Sequence, residues 1–153
     1  MARTRILEFV NDCTSVRRPV SPLDDFWRLG DHEIPASGGA YILVASETFL
    51  YPGGRSRVFY IGQSTNLRWR LRTHLRYSRH VQGNQRVSDW LYWPRYEYAG
   101  KFGVRYAYVQ THNGMTSRAV EEELMASFAH RYLAFPVANG SGSWKRITKH
   151  FTV

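Results

Sequence analysis

Between Arg57 and Tyr77 the chain reads RVFYIGQSTNLRWRLRTHLRY, and the period of its apolar residues changes within that stretch. Arg57 to Gly62, RVFYIG, is a short apolar run suited to a buried strand. From Leu67 onward the apolar positions recur every fourth residue, at Leu67, Leu71 and Leu75, the spacing of one buried helix stripe. Between the two, Ser64, Thr65 or Asn66 supplies an N-cap. Strand, turn and helix are thus expected in succession. Chemistry-bearing side chains crowd onto the same unit. Arg70 and His74, four apart, share a helix face just after the Tyr60-Ile61-Gly62 turn. Gly62 permits a sharp bend or a close backbone approach by a ligand.

Working outward, GAYILVA, Gly39 to Ala45, is a second short apolar strand, and YPGGRS between the two supplies turn residues for a long-looped hairpin. Val81 to Gly100 is aromatic and irregular and reads as a short helical or loop insertion. In GVRYAYVQTH, Val104, Tyr106 and Tyr108 alternate against Arg105, Ala107 and Val109, a third strand. Thr116 or Ser117 caps a second long helix with Val120, Leu124, Met125, Phe128 and Leu133 on its apolar face. Pro136 follows it, then a flexible NGSGS loop. The expected class is α/β: a small mixed, mainly antiparallel three-stranded sheet flanked by helices. At 153 residues the chain is sized for one domain. Residues 1–37, with three prolines after Ser15 and a helical turn in LDDFWRLG, read as an N-terminal appendage packed on or extending a domain over 38–143. Residues 144–153, WKRITKHFTV, read as a basic tail.

Composition points to a polyanionic partner. The net charge is +9 and the isoelectric point near 10.1, and arginine, whose planar fork suits phosphate, dominates the cations. Arg68, Arg72, Arg76, Arg79, His80 and Arg86, interleaved with Trp69, Tyr77 and Trp90, form a candidate nucleic-acid track. A solvated helix face is the plainer alternative. No segment is long and apolar enough for a bilayer, and the N-terminus lacks a secretory signal, so no membrane role is expected. The single Cys13 excludes an internal disulfide and a cysteine-rich metal site and suits a cytoplasmic location.

Taken singly, Arg70, His74 and the tyrosines read as a solvated charge, a surface residue and amphipathic core fillers. Together they form a pattern. GAY at Gly39 to Tyr41, YIG at Tyr60 to Gly62, an arginine ten residues past Tyr60 and a histidine four beyond it resemble the GIY-YIG nuclease superfamily. That group contains homing endonucleases, the incision subunit of bacterial excision repair and some restriction endonucleases. VEEELMASF and FPVANG look like its later signatures, a metal-binding glutamate on a helix and a downstream asparagine. The resemblance spans roughly Gly38 to Gly140. It implies catalytic roles for Tyr41, Tyr60, Arg70, His74, Glu121 and Asn139, with Glu121 as the metal ligand and Glu122 in reserve. The plainer alternatives are that two of the three adjacent glutamates only stabilise the positive end of the helix and that Asn139 belongs to an ordinary turn. Ala40 replaces the isoleucine of the first motif, Gln63 stands where some members carry lysine, and the spacing from Glu121 to Asn139 is longer than usual.

The implied activity is metal-dependent hydrolysis of DNA, with RNA as an alternative substrate. One Mg or Mn ion held by Glu121 would act as a Lewis acid, and Arg70 would clamp the non-bridging phosphate oxygens. Tyrosine, with a reference pKa near 10, costs roughly 4 kcal/mol to ionise at pH 7. A neighbouring cation must lower that, or His74 must receive the proton. Tyr41 is the favoured base and Tyr60 the orienting group. A catalytically silent nucleic-acid-binding domain of the same fold is the rival. Site specificity would come from the appendage, the insertion or dimerisation, and the chain is expected to act as a monomer or homodimer.

Overall fold

The computed structural model describes residues 6–13, 21–31, 34–83, 94–102, 104–111 and 114–139. Among these residues four strands and three α-helices of eight or more residues follow in the order β1 (Asp24–Asp25), β2 (Gly39–Tyr51), β3 (Gly54–Ser64), α1 (Leu67–Gln82), α2 (Pro94–Lys101), β4 (Val104–Gln110) and α3 (Ser117–Tyr132), with 3-10 turns at Glu8–Asp12 and Phe26–Asp31. The sheet runs β1-β4-β2-β3, with every pairing antiparallel. Two expectations are corrected: among the described residues the sheet has four strands instead of three, and its pairings are all antiparallel instead of mixed. The added strand is Asp24–Asp25, paired with Tyr106 and Arg105. Two aspartates have low strand propensity. They pair because Ser21 binds Tyr108 through both its backbone N–H and its hydroxyl, laying the segment along β4.

The central hairpin is longer than its apolar cores. β2 continues past Ala45 through exposed Ser46 and Glu47 to Tyr51, and the turn lies at Pro52-Gly53. Tyr41 faces Gly62, Ile42 faces Ile61 and Leu43 faces Tyr60, after which Val44 faces Val58, so Phe59 is an extra residue on β3. This bulge turns Phe59 and Tyr60 toward the same layer.

Each face of the sheet has its own core. On one, Ile42, Val44, Val58, Ile61 and Val109 meet Val120, Leu124, Met125 and Phe128 of α3. On the other, Tyr41, Leu43, Phe59 and Tyr60 meet Leu67, Leu71 and Leu75 of α1 and Ala99 of α2. Within residues 1–37, Phe9 and Val10 join the first core, and Phe26, Leu29 and Ile34 the second. Helix α3 is buried on two sides because the Glu8–Asp12 turn covers its flank beside the sheet-facing stripe. Phe9 meets Phe128 edge-on at 5.3 Å, the Ser127 hydroxyl donates to the Phe9 carbonyl, and Arg131 pairs with Glu8 and Asp12 at 3.1 and 3.0 Å.

Both long helices begin on expected caps. Asn66 Oδ1 accepts from the Trp69 N–H, and Thr116 Oγ1 accepts from the Ala119 N–H. Leu133 is not on the apolar face expected of it. It caps the C-terminus of α3 in the left-handed region at φ 56° and is 67% exposed. Among the described residues no helix is long and apolar enough to cross a membrane. Arg86 and the basic tail at 144–153 lie outside the described residues.

Candidate active site

Tyr41 on β2 and Tyr60 on β3 project from one face of the sheet toward α1, which brings Arg70 and His74 to them. His74 is fully buried, and its Nε2 shares a hydrogen bond of 2.6 Å with the Tyr41 hydroxyl. Arg70 Nε donates to the same hydroxyl at 3.4 Å. The Tyr60 ring lies 6.0 Å from Tyr41 and 5.6 Å from His74 between centroids. Burial pulls the Arg70 guanidinium down, but the oxygens of Tyr41, then Tyr60 and Tyr96, outweigh it, so its pKa stands above the ordinary arginine value.

The glycine of the second motif has a steric explanation. Gly62 faces Tyr41 across the hairpin, and a Cβ there would come within 2.4 Å of the Tyr41 hydroxyl and 2.7 Å of Tyr60 Cε1. Only a residue without a side chain leaves room for the Tyr41 ring tip beside His74.

Tyr96 belongs to this group although the sequence reading placed it in an irregular insertion. It is buried on α2, with its ring 5.3 Å from His74 and 5.3 Å from Tyr77. Its sequence signal is weak, because α2 has eight residues and no clear apolar period.

Asn139 lies at the outer edge of β3. Its Oδ1 accepts from the Ile61 N–H at 3.0 Å and its Nδ2 donates to the Ile61 carbonyl at 2.8 Å, while the Ala138 N–H donates to the Phe59 carbonyl at 2.8 Å. The amide acts as one more peptide unit of the sheet, holding the residue between Tyr60 and Gly62. Asn139 is therefore a positioning residue for the tyrosine strand.

Glu121 sits one turn into α3 on the stripe shared with Leu124, Met125 and Phe128, and is 7% exposed. Helix α3 covers the opposite sheet face from the one bearing the two tyrosines. Its first turn is pinned beside Gly62, where the Ser117 hydroxyl donates to Gln63 Oε1 at 2.8 Å. Glu122 also is buried, with Arg118 Nε 3.7 Å from its carboxylate. Among the described residues no group of three or more His, Cys, Asp or Glu side chains is arranged to hold a metal ion. A magnesium ion that keeps waters and takes a substrate phosphate needs only one or two carboxylates, so Glu121 alone fits that donor set.

The arginines of α1 divide by what they touch. Arg68 Nε donates to the Ile34 carbonyl at 2.7 Å and Arg79 Nη2 to the Trp27 carbonyl at 3.1 Å, tying the N-terminal segment to the helix. Arg72 and Arg76 are exposed and line a shallow groove with Trp69 and Thr73.

No family model, curated protein or solved structure matches the chain. The functional reading rests on the residues and their geometry.

Proposed function

We propose that the chain is a metal-dependent endonuclease that hydrolyses DNA phosphodiester bonds and is built on the GIY-YIG plan. The observation that carries this reading is the meeting of the Tyr41 hydroxyl, His74 Nε2 and the Arg70 guanidinium within reach of one another. A phenol joined to an imidazole has a proton route that a lone phenol lacks. Tyr41 takes a proton from the attacking water while its own passes to Nε2 of His74, so no free phenolate forms at neutral pH.

Tyr41 is fully buried, which sets the order of events. The 3.4 Å contact from Arg70 is longer than an ordinary N–H···O bond. Arg70 exchanges it for the non-bridging oxygens of the incoming phosphate, a stronger charge-assisted pair, and this uncovers the hydroxyl to water. Tyr60, on the same face, orients that water. Glu121 would hold the Mg or Mn ion, which when bound supplies Lewis-acid stabilisation of the phosphoryl and leaving oxygens. The phenols and the helix bearing Glu121 lie on opposite faces of the sheet, so in this reading the substrate backbone would have to cross the edge of β3 beside Gly62.

The test is supercoiled plasmid incubated with purified protein and Mg, with a chelator arm and the variants Glu121→Ala and Glu122→Ala. Nicked or linear product is expected only with metal, with Glu121→Ala slowed at least about 100-fold and Glu122→Ala retaining most activity. Cutting that survives both chelator and Glu121→Ala contradicts the reading. Placement of Glu121 on the helix that covers the opposite sheet face favours a second reading, a silent nucleic-acid-binding domain. Salt-sensitive binding without any cutting of DNA or RNA identifies it.

A further inference from the structure

The helix that carries Arg70 and His74 inward presents a different face to solvent. At about 100° per residue, Trp69, Thr73, Arg76 and His80 fall on one stripe opposite Leu67, Leu71 and Leu75. Trp69 is 61% exposed, so its indole contributes little to the core. The groove beside it, bordered by Asn66, Arg72, Thr73 and Arg76, continues through Arg72 and Arg76 into a second groove that reaches Arg79 and His80. Helix α1 contains five arginines and no acid. No ion pair holds Arg72 or Arg76 among the described residues, and the Arg76 guanidinium lies 5.1 Å from the centre of the Tyr77 ring.

We propose that this strip is a stacking platform for an unpaired strand flanking the scissile bond, so that DNA with a fork or overhang is preferred over uninterrupted duplex. The inference rests on the reading of the neighbouring site as a DNA nuclease. Arginines alone would serve a duplex backbone equally well. An exposed indole among them would not, because the base faces of a duplex are covered by their neighbours and only an unpaired base can lie on the ring. The strip also leads to the chemistry: Arg70 is the next residue after Trp69, about 100° around the helix, between the exposed stripe and buried His74.

Binding is measured without metal, by fluorescence anisotropy of a labelled single strand, a blunt duplex and a fork of the same sequence. Wild-type protein is expected to bind the single strand and the fork at least about tenfold more tightly than the blunt duplex. Trp69→Ala should lose about 5- to 100-fold on the single strand and fork, leave the duplex unchanged and keep the wild-type circular dichroism, while Trp69→Phe retains most of the affinity. Arg72→Gln with Arg76→Gln should weaken all three with a shallower salt dependence. Equal or tighter binding of blunt duplex by wild type, or single-strand binding unchanged by Trp69→Ala, overturns the proposal. The two readings fail separately. A strand preference without Mg-dependent cutting removes the nuclease and leaves the platform, and cutting of blunt duplex with no strand preference does the reverse.

Discussion

At the scale of single residues, the site is governed by how closely Tyr41, His74 and Gly62 are packed. Gly62→Ala inserts a methyl within 2.4 Å of the Tyr41 hydroxyl, and overpacking of this kind costs about 1–3 kcal/mol. A fall in Tm is expected together with loss of cleavage, and a variant with wild-type Tm would show that the ring has another place to go. Leu133 offers the opposite case. It sits at φ 56° with its side chain mostly in water, where glycine is the favoured residue. Leu133→Gly is therefore expected to raise stability by up to about 1 kcal/mol, read as an increase in the urea midpoint. The sequence made Tyr41, Tyr60, Arg70 and His74 legible because four-residue helix spacing and strand alternation determine which side chains share a face. It did not reveal that Leu133 leaves the apolar stripe, because the left-handed cap that ends α3 is a backbone state of which leucine carries no mark.

At the scale of elements, the tyrosine strand is held from its outer edge by a side chain. Asn139→Ala removes two hydrogen bonds to Ile61 and leaves both backbone groups without this partner. A loss of about 1–3 kcal/mol is expected, with cleavage falling further than the loss of folded protein explains, because Tyr60 is adjacent. Equilibrium unfolding and specific activity measured on the same preparation separate the two effects, and an Asn139→Ala protein of unchanged stability would remove Asn139 as the edge clamp. The hairpin, α1, β4 and α3 could each be located from periodicity and caps. Three features could not. The bulge at Phe59 is a register decision made by packing on two faces. The Asp24–Asp25 strand forms against local propensity because Ser21 anchors it to Tyr108. Tyr96 reaches His74 only because α2 packs on α1. Similarly, nothing local distinguishes Arg68 and Arg79, which each donate to a backbone carbonyl, from Arg72 and Arg76, which among the described residues do not.

At the scale of the whole molecule, two cores back to back against one sheet make stability depend on buried acids with high pKa values. Burial, the larger effect, pushes the Cys13 thiol up to about 11 from 9.0 and the Tyr51 phenol up to about 12 from 10.0. Both are neutral in folded and unfolded chains below about pH 8. Above that the unfolded chain ionises first and binds fewer protons, so stability falls with rising pH, and the contribution is lost as pH passes through the folded values of about 11 and 12. Chemical unfolding midpoints measured from pH 7 to 11.5 are expected to decline from about pH 8 upward, and a flat profile would contradict the burial of these groups. Molecular scale also explains the N-terminal segment. Residues read as an appendage supply Phe9, Phe26, Leu29 and Ile34 to the two cores, a long-range role that the prolines between them obscure.

The central claim is that the Tyr41 hydroxyl, coupled to His74, handles the proton of the attacking water. The most direct measurement is the single-turnover rate of Mg-dependent cleavage of a labelled DNA by wild type and by Tyr41→Phe, with circular dichroism and Tm confirming that the ring still fills its place. A decrease of at least about 100-fold in the folded variant is expected, and a Tyr41→Phe protein that cuts at the wild-type rate would contradict the account.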